Sequence, residues 1–420
     1  MSLQGPLLVV AENSVAELVD GLVASGAFPV VSVQWSEAAA AIAEIQPAAV
    51  VLGDPDAMPQ PKPLQAFRRA VDKASPMVPV IARVRSDTSP QFDDALPISA
   101  DASLGRLVGR LRSALRVRTL HATALRRAET LTAQGRPPEW PKGDPLDDAT
   151  VLVIGRGRSY PSLSVAVGER VGLIGALSVE NAARYLNARD IDGVVIGDGF
   201  SPRMIEAFLT VLIEDVRFRD LPVVVAGGLF HALDHNDLTH VETVVGVAER
   251  VTERLLPLVR LHAFEARLKR LLKSFDSEGV IDPLCGLLTA DVFWRDFGKA
   301  VHDAEQLGNG LSVARFSFEG RLEPRVGIDA ARLVGRLMRN VDFACREMDG
   351  SIIAVFTETD LRSAHVIARR IASVLKHTTL CPGSARLGVD PTVTLATWKA
   401  SDTLDTLMAR VDAARAVAVG

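Results

Sequence analysis

Short, continuous runs of apolar residues recur along the N-terminal part of the chain, and longer segments with apolar residues at helical spacing separate them. A strand that is apolar on both faces is typical of a parallel sheet that helices cover on both sides. The pattern therefore predicts an α/β architecture. The first four of these runs are GPLLVVAEN, FPVVSVQW, AAVVLGDPDAMP and MVPVIARV.

The same pattern occurs a second time. The run ATVLVIGRGRS opens the second unit, and IDGVVIGDGFSP repeats AAVVLGDPDAMP. The two copies lie about 140 residues apart, which is far more than one repeat of a solenoid, so they indicate two whole domains. Between them, residues 133–148 (AQGRPPEWPKGDPLDD) are rich in Pro, Gly and Asp, which is typical of a linker.

The pattern changes in the C-terminal part, where helical segments alternate with strands that have the character of an antiparallel sheet. One stretch, residues 339–352 (RNVDFACREMDGSI), predicts a β-hairpin, because apolar residues precede MDGS and a β-branched run follows it. This part is therefore predicted to be a separate α+β domain. Its predicted strands are LSVARFSF, DFACREMDGSIIAVF and TVTLATW.

These patterns divide the chain into three domains and a linker. The second domain ends in a predicted helix with an apolar stripe, for which two interpretations stay open. The helix packs on its own domain, or it is a connector or one half of a two-helix seam in a dimer. The stripe consists of Leu261, Phe264, Leu268 and Leu271. The predicted segments are 1–127 (first domain), 128–147 (linker), 148–275 (second domain with its C-terminal helix) and 276–420 (third domain).

Composition and charge are those of an ordinary folded protein, since 48% of the 420 residues are hydrophobic and 23% are charged. A net charge of -4 predicts no general attraction to nucleic acid or to an anionic membrane. No apolar run approaches the length of about 18 residues that a membrane helix needs, and no signal peptide is indicated. The three cysteines, Cys285, Cys345 and Cys381, lack zinc spacing and are expected to be reduced and buried in a cytoplasmic protein.

Both N-terminal units resemble response-regulator receiver domains, which are flavodoxin-like (CheY-like) domains. In that family, acids after the first strand hold Mg²⁺, and an Asp at the end of the third strand is phosphorylated. The first unit has Ala11 and Glu12 at the acid positions and Gly53 at the acceptor position, with Asp54 one residue later. Since Mg²⁺ needs several oxygen ligands, we expect a degenerate site in which Asp54 remains a candidate phosphoacceptor.

The second unit departs further from the receiver family. Gly155 and Arg156 stand at the acid positions, and Gly197 stands at the acceptor position beside Asp198. An arginine in this place repels a metal ion. We therefore interpret both units as packing and dimerisation modules, and we expect the protein to be a homodimer.

The third domain resembles the GGDEF domains of diguanylate cyclases. DPLCGLLT, residues 282–289, is similar to their opening motif, and LMARVDAA, residues 407–414, is similar to their closing helix. The predicted hairpin falls on the turn after which that family is named. The domain order resembles double-receiver diguanylate cyclases and, more closely, inactive relatives that read cyclic di-GMP in alphaproteobacterial cell-cycle control.

The resemblance implies that the catalytic residues are absent. Synthesis of cyclic di-GMP from GTP needs metal ions, held by carboxylates, to stabilise the phosphoryl transfer. Where the family has its metal-binding Asp, two turn glycines and two acids, this chain has Ser317, Met348, Asp349, Gly350 and Ser351. We therefore expect no cyclase activity and no bound metal.

The resemblance also implies that the family's product-binding site is kept. That site uses an Arg-x-x-Asp motif before the turn and an Arg on the following helix, and Arg339, Asp342 and Arg370 take these positions here. An Arg donates two hydrogen bonds to O6 and N7 of guanine, and a carboxylate accepts from N1–H and N2–H₂. The motif by itself is common, and a surface ion pair remains the alternative interpretation.

The sequence thus predicts a signalling protein that binds cyclic di-GMP without making it. The signal would pass on through contacts with a protein partner, which the sequence does not name. Two alternatives stay open. One is a scaffold that recognises proteins without any ligand, and the other is a domain that binds GTP without turnover.

Overall fold

The computed structural model divides the chain into two compact units, residues 1–269 and 270–420. The described residues are 4–13, 15–55, 59–85, 88, 92, 94–133, 135, 137–215, 217–227, 240–276, 280–307, 310–318, 322–339, 341–378, 389–400 and 402–418. No helix in these ranges combines the length and the apolar character needed to cross a bilayer. Cys285 and Cys345 are free and buried, as predicted, whereas Cys381 lies outside the described residues.

The first half of the N-terminal unit is a five-stranded parallel sheet with helices on both faces. Its strands are β1 (Gln4–Val10), β2 (Phe28–Val33), β3 (Ala49–Leu52), β4 (Val80–Val84) and β5 (Leu96–Ser99). Its helices are α1 (Ala16–Ala24), α2 (Trp35–Ile45), α3 (Pro61–Lys73) and α4 (Leu104–Ala133). The strand order is β2-β1-β3-β4-β5. Leu7 and Val9 belong to one hydrophobic cluster and Leu8 and Val10 to another, so both faces are buried, as the apolar runs predict.

The second half of this unit repeats the same topology. Its strands are β6 (Thr150–Ile154), β7 (Gly172–Ala176), β8 (Gly193–Ile196), β9 (Val223–Ala226) and β10 (Val241–Val244). Its helices are α5 (Tyr160–Gly168), α6 (Val179–Ala188), α7 (Pro202–Glu214) and α8 (Ala248–Asp276). The order β7-β6-β8-β9-β10 matches that of the first sheet and is the flavodoxin-like order. The internal duplication read from the sequence is therefore confirmed in the topology.

Two long helices connect these halves. Helix α4 continues to Ala133, into the segment predicted as a linker, because residues such as Ala124 and Ala128 stay buried on its inner face. A short 3₁₀ helix, Pro145–Asp148, precedes the second sheet. Helix α8 packs on its own sheet through Leu255, and Leu258 of the same helix belongs to the core of the first sheet. The helix therefore packs on its own sheet and also contacts the first sheet, whereas a two-helix seam in a dimer stays a prediction.

The C-terminal unit contains a four-stranded antiparallel sheet, which confirms the predicted α+β pattern. Its strands are β11 (Leu311–Phe318), β12 (Phe343–Arg346), β13 (Ile352–Thr357) and β14 (Pro391–Thr397). Its helices are α9 (Ala290–Leu307), α10 (Pro324–Leu337), α11 (Leu361–Lys376) and α12 (Leu404–Ala418). The order is β12-β13-β11-β14, with all neighbours antiparallel. Helices α10 and α11 cover one face of the sheet, and α9 and α12 cover the other.

Candidate functional site

The predicted hairpin forms between β12 and β13, and its turn closes on its own polar groups. Ser351 donates its backbone N–H (2.9 Å) and its hydroxyl (2.6 Å) to Oδ1 of Asp349. The N–H of Gly350 donates to the carbonyl of Glu347 at 3.0 Å. Met348, at the tip, is fully exposed to solvent. The Asp349 carboxylate therefore serves the backbone of its own turn, as aspartates in turns often do.

An arginine, Arg315, lies beside this turn. Ser317 directly follows Phe316, which the antiparallel register of β11 and β13 pairs with Ile352, so Ser317 lies at the start of β13. Arg315 is on the same face of β11 as Ser317, and its Nη1 lies 3.9 Å from Oδ2 of Asp349. The sequence reasoning missed Arg315. Its spacing of two residues from Ser317 was the available signal, since strand residues two apart share a face.

These residues do not fit the metal ions that cyclase chemistry needs. Ser317 is buried, and its hydroxyl has no hydrogen-bond partner among the described residues. Gly350 and Ser351 supply no carboxylate, and the guanidinium of Arg315 adds positive charge. Within the described ranges, no group of three or more His, Cys, Asp or Glu side chains is placed to hold an ion. The donor set therefore does not match the oxygen ligands that Mg²⁺ prefers.

Asp342 is buried where the chain enters the hairpin. Only 7% of its surface is exposed, and burial raises the pKa of its carboxyl above the ordinary value. Its Oδ2 accepts the backbone N–H of Arg339 at 3.3 Å, and its Oδ1 accepts the N–H of Thr357 at 3.3 Å. The carboxylate thus joins the segment before β12 to the end of β13. A carboxylate has about four acceptor sites, so two backbone donors do not exhaust it.

Arg370 reaches the C-terminal end of α10, close in the chain to Arg339. It lies on α11 and donates from Nη2 to the carbonyl of Leu337, the last residue of α10, at 2.8 Å. Arg339 follows Leu337 by two residues, and both arginines are exposed. The structure therefore places Arg339, Asp342 and Arg370 around one helix end. Their role in binding a ligand stays a prediction.

Exposed apolar side chains accompany these arginines. Val341, inside the Arg-x-x-Asp motif, is 62% exposed, and Val366, one turn before Arg370 on α11, is 66% exposed. The hydroxyl of Thr357 donates to the carbonyl of Val341 at 3.1 Å, which positions the motif against the end of β13. Apolar side chains beside guanidinium groups suit a nucleobase, whose faces are apolar and whose edges carry hydrogen-bonding groups. The sequence reasoning did not identify either valine.

At the carboxyl edge of the first sheet, Asp54 borders a cavity of about 680 Å³. Asn13 donates to its Oδ2 at 2.5 Å. Arg83, which also lines the cavity, donates to the carbonyls of Gly53 at 3.3 Å and Ala100 at 2.7 Å. This edge therefore carries a cationic side chain that contacts the loops after β3 and β5.

The corresponding edge of the second sheet is filled by its own loop. Asp198 accepts the backbone N–H groups of Arg158 (3.0 Å) and Ser159 (3.1 Å) and also the hydroxyl of Ser159. The hydrogen bond from that hydroxyl is the main cause that lowers the pKa of Asp198. A Cβ at Gly157 would lie 2.3 Å from the Asp198 carboxylate, so this loop approaches the acid as closely as glycine permits. The carboxylate is thus engaged by three donors of the chain itself.

Sequence comparisons with known proteins do not assign this chain to a family. No family model matches it, and no curated protein matches it.

Several solved structures are similar to about one third of the chain, and they are GGDEF domains. The coiled coil and GGDEF domain of DgcB from Caulobacter crescentus, in complex with c-di-GMP, is 19% identical, with 35% of this chain and 84% of that chain covered and a TM-score of 0.32. A sensory box/GGDEF family protein from Caulobacter crescentus is 21% identical, with 34% and 99% covered and a TM-score of 0.30. The FimX GGDEF domain from Pseudomonas aeruginosa is 18% identical, with 32% and 90% covered and a TM-score of 0.28. At these levels of similarity, the site must be argued from the residues of this chain.

Proposed function

We propose that the C-terminal unit is a GGDEF-type signalling domain that binds cyclic di-GMP and does not synthesise it. Arg339 and Arg370 would bind guanine edges and phosphates, and Asp342 would accept hydrogen bonds from guanine N1–H and N2–H₂. The observation that carries the proposal is the placement of these three residues around the C-terminal end of α10, beside the hairpin.

The absence of synthesis follows from the residues at the turn. A phosphoryl transfer from GTP places charge on phosphate oxygens that metal ions must stabilise. Ser317, Gly350 and Ser351 offer no carboxylate for such ions, and Arg315 lies near Asp349 of the turn and near Asp412. Met348 also brings a long side chain to a position where the family has glycine. These features support a domain that keeps a ligand site and lacks the catalytic one.

Signal output would occur through protein contacts, with the two parallel-sheet halves as degenerate receiver-like modules in a homodimer. Arg83 and the loop of residues 156–159 support this role, because they occupy the sheet edges where a receiver holds Mg²⁺ and phosphate. Asp54 remains the candidate phosphoacceptor of the first half.

Incubation with acetyl phosphate followed by intact mass measurement tests whether Asp54 is phosphorylated. A gain of one phosphoryl group would show that the first half still responds to phosphorylation.

Calorimetry with cyclic di-GMP tests the binding site. We expect the wild-type protein to bind and Arg339→Ala and Arg370→Ala to bind about ten- to a hundredfold more weakly, because each removes a forked donor to guanine or phosphate. Arg369→Ala is the matched control. It removes the same charge from the neighbouring exposed position of α11 and should bind like the wild type.

Three outcomes would change the interpretation. Absence of binding by the folded wild-type protein would favour a scaffold that recognises proteins without a ligand. The structural contacts of Asp342 with two backbone N–H groups are compatible with that alternative. Steady formation of cyclic di-GMP from GTP with Mg²⁺ or Mn²⁺ would contradict the assignment of Ser317 and Met348 as degenerate positions. GTP binding without product would support the alternative of a domain that binds GTP without turnover.

A further inference from the structure

A second cavity lies inside the N-terminal unit, at the amino end of β4, away from the carboxyl edges of both sheets. Its volume is about 340 Å³, within the range of about 300–1,000 Å³ that is usual for small-molecule sites. Six separate parts of the chain build it: the end of α3, the start of β4, the start of β5 with the residues before it, the middle of α4, the 3₁₀ helix at Pro145 and the middle of α8. Representative lining residues are Ala74, Met77, Phe92, His121, Leu261 and Phe264.

The walls of this cavity are mainly apolar and include three rings. Phe264 and His121 meet edge to face, with ring centroids 5.2 Å apart and planes at 84°. Phe92 contributes a third ring to the lining. Pro257 of α8 also faces the cavity, and a proline offers no backbone N–H to a ligand. Edge-to-face geometry is the arrangement that a further aromatic ring adopts favourably.

His121 supplies a directed polar group in this apolar surface. Its Nδ1 accepts the backbone N–H of Met77 at 3.2 Å, so the neutral ring carries its proton on Nε2. Burial, and secondarily the charge of Arg118, lower the pKa of His121, which keeps the ring neutral at physiological pH. The ring therefore offers one N–H donor and no charge.

The charged side chains that line the cavity do not favour binding of an anionic ligand. Arg260 forms ion pairs with Asp94 and with Asp144, the latter at 2.8 Å, so two carboxylates balance its charge. Asp72 adds a further negative charge to the wall. A carboxylate or phosphate ligand would meet net negative charge here.

We propose that this cavity is a binding site for a small neutral molecule that carries an aromatic ring and one hydrogen-bond acceptor. The ring would pack against Phe92 and Phe264, and the acceptor would face the N–H of His121. Because α8 belongs to the second sheet and β4 to the first, a bound molecule would contact both halves and stabilise their packing. This site is independent of the cyclic di-GMP site in the C-terminal unit.

Three matched probes test the proposal on the full chain: acetophenone has a ring and an acceptor, toluene has the ring alone, and benzoate has the ring with a negative charge. Affinities are measured by ligand-observed saturation-transfer NMR titration. We expect acetophenone to bind more tightly than toluene, and benzoate not to bind. His121→Phe should weaken acetophenone binding about tenfold and leave toluene binding unchanged, because the ring is kept and the N–H donor to the ligand is lost together with the acceptor for Met77.

A cavity-filling variant locates the binding. Ala74→Phe places a ring in the cavity and should abolish binding of both neutral probes, while circular dichroism and the unfolding transition confirm that the variant is folded. Absence of binding by any neutral probe to the wild type would overturn the proposal. So would benzoate binding as tight as that of acetophenone, or toluene binding that Ala74→Phe leaves intact.

Discussion

At the scale of single residues, Asp342 combines a structural contact with a proposed ligand contact. Its carboxylate accepts two backbone N–H groups, from Arg339 and Thr357, and burial raises its pKa. A surface ion pair, the alternative considered from the sequence, does not describe it, because Asp342 is 7% exposed and binds backbone groups. Any ligand that uses this acid therefore acts directly on the junction between α10 and the hairpin.

The raised pKa of Asp342 leads to a prediction on the pH dependence of stability. The folded protein disfavours the charged carboxylate, so the contribution of Asp342 is complete below the ordinary value of 3.8 and is lost as pH rises through the folded pKa. The free energy of unfolding of the wild type, relative to Asp342→Asn, should therefore fall as pH rises over the acidic range above 3.8. Urea denaturation across this range measures the difference.

Asp360 is the matched control for that experiment, because its pKa shifts in the opposite direction. It caps α11, and a hydrogen bond from the backbone N–H of Ser363 at 2.7 Å lowers its pKa. The stability difference between the wild type and Asp360→Asn should rise as pH rises towards the ordinary value of 3.8 and should stay constant above it. A difference for Asp342→Asn that also rises with pH would contradict the pKa shift assigned to its burial.

At the scale of elements, the turn of the hairpin is held by hydrogen bonds between its own residues. Asp349 closes the turn through Ser351, and Gly350 adopts a φ of 85°, which a side chain would strain. The exposed Met348 makes no comparable contribution, since its side chain lies in solvent. The conformation of the turn thus depends on Asp349 and Gly350, whereas the side chain at position 348 has little influence on it.

Substitutions in the turn test this division. Gly350→Ala should lower the free energy of unfolding by about 1 kcal/mol, because alanine disfavours the left-handed region. Met348→Ala should change it by less than about 0.5 kcal/mol, as exposed substitutions usually do. Guanidinium chloride denaturation of the two variants gives the comparison. Equal losses for both would show that Met348 contributes to the folded turn.

At the scale of the whole molecule, buried charge joins the two halves of the N-terminal unit. Arg110 of α4 donates to Glu242 of β10 at 2.6 Å, and their side chains are 3% and 2% exposed. In the other direction, Arg254 of α8 donates to the carbonyls of Arg85 and Thr88, beyond β4 of the first sheet. Each half thus contributes a long helix whose arginine is buried against the other half.

Breaking the buried pair should be costly. Glu242→Gln leaves Arg110 charged and buried without its partner, so we expect the free energy of unfolding of this unit to fall by about 3–5 kcal/mol. The double variant Arg110→Met with Glu242→Met removes both charges and should be close to neutral. Asp215→Asn, which removes one charge of an exposed pair with Arg217, should lower the free energy of unfolding much less than Glu242→Gln. If Glu242→Gln changes the free energy of unfolding only slightly in urea denaturation, solvent reaches the Arg110–Glu242 pair in the folded protein.

The sequence alone determined the period of the apolar residues, and with it the two parallel sheets, the antiparallel sheet and the hairpin at residues 339–352. Period and turn chemistry are local properties, so a single sequence carries them. Only the tertiary structure decided which groups the charged and polar side chains contact. It joined Arg370 to Leu337, brought Arg315 to Asp349 and surrounded Asp198 with the loop at Ser159. Such contacts depend on distant segments meeting in space, and no local pattern encodes which pairs will meet.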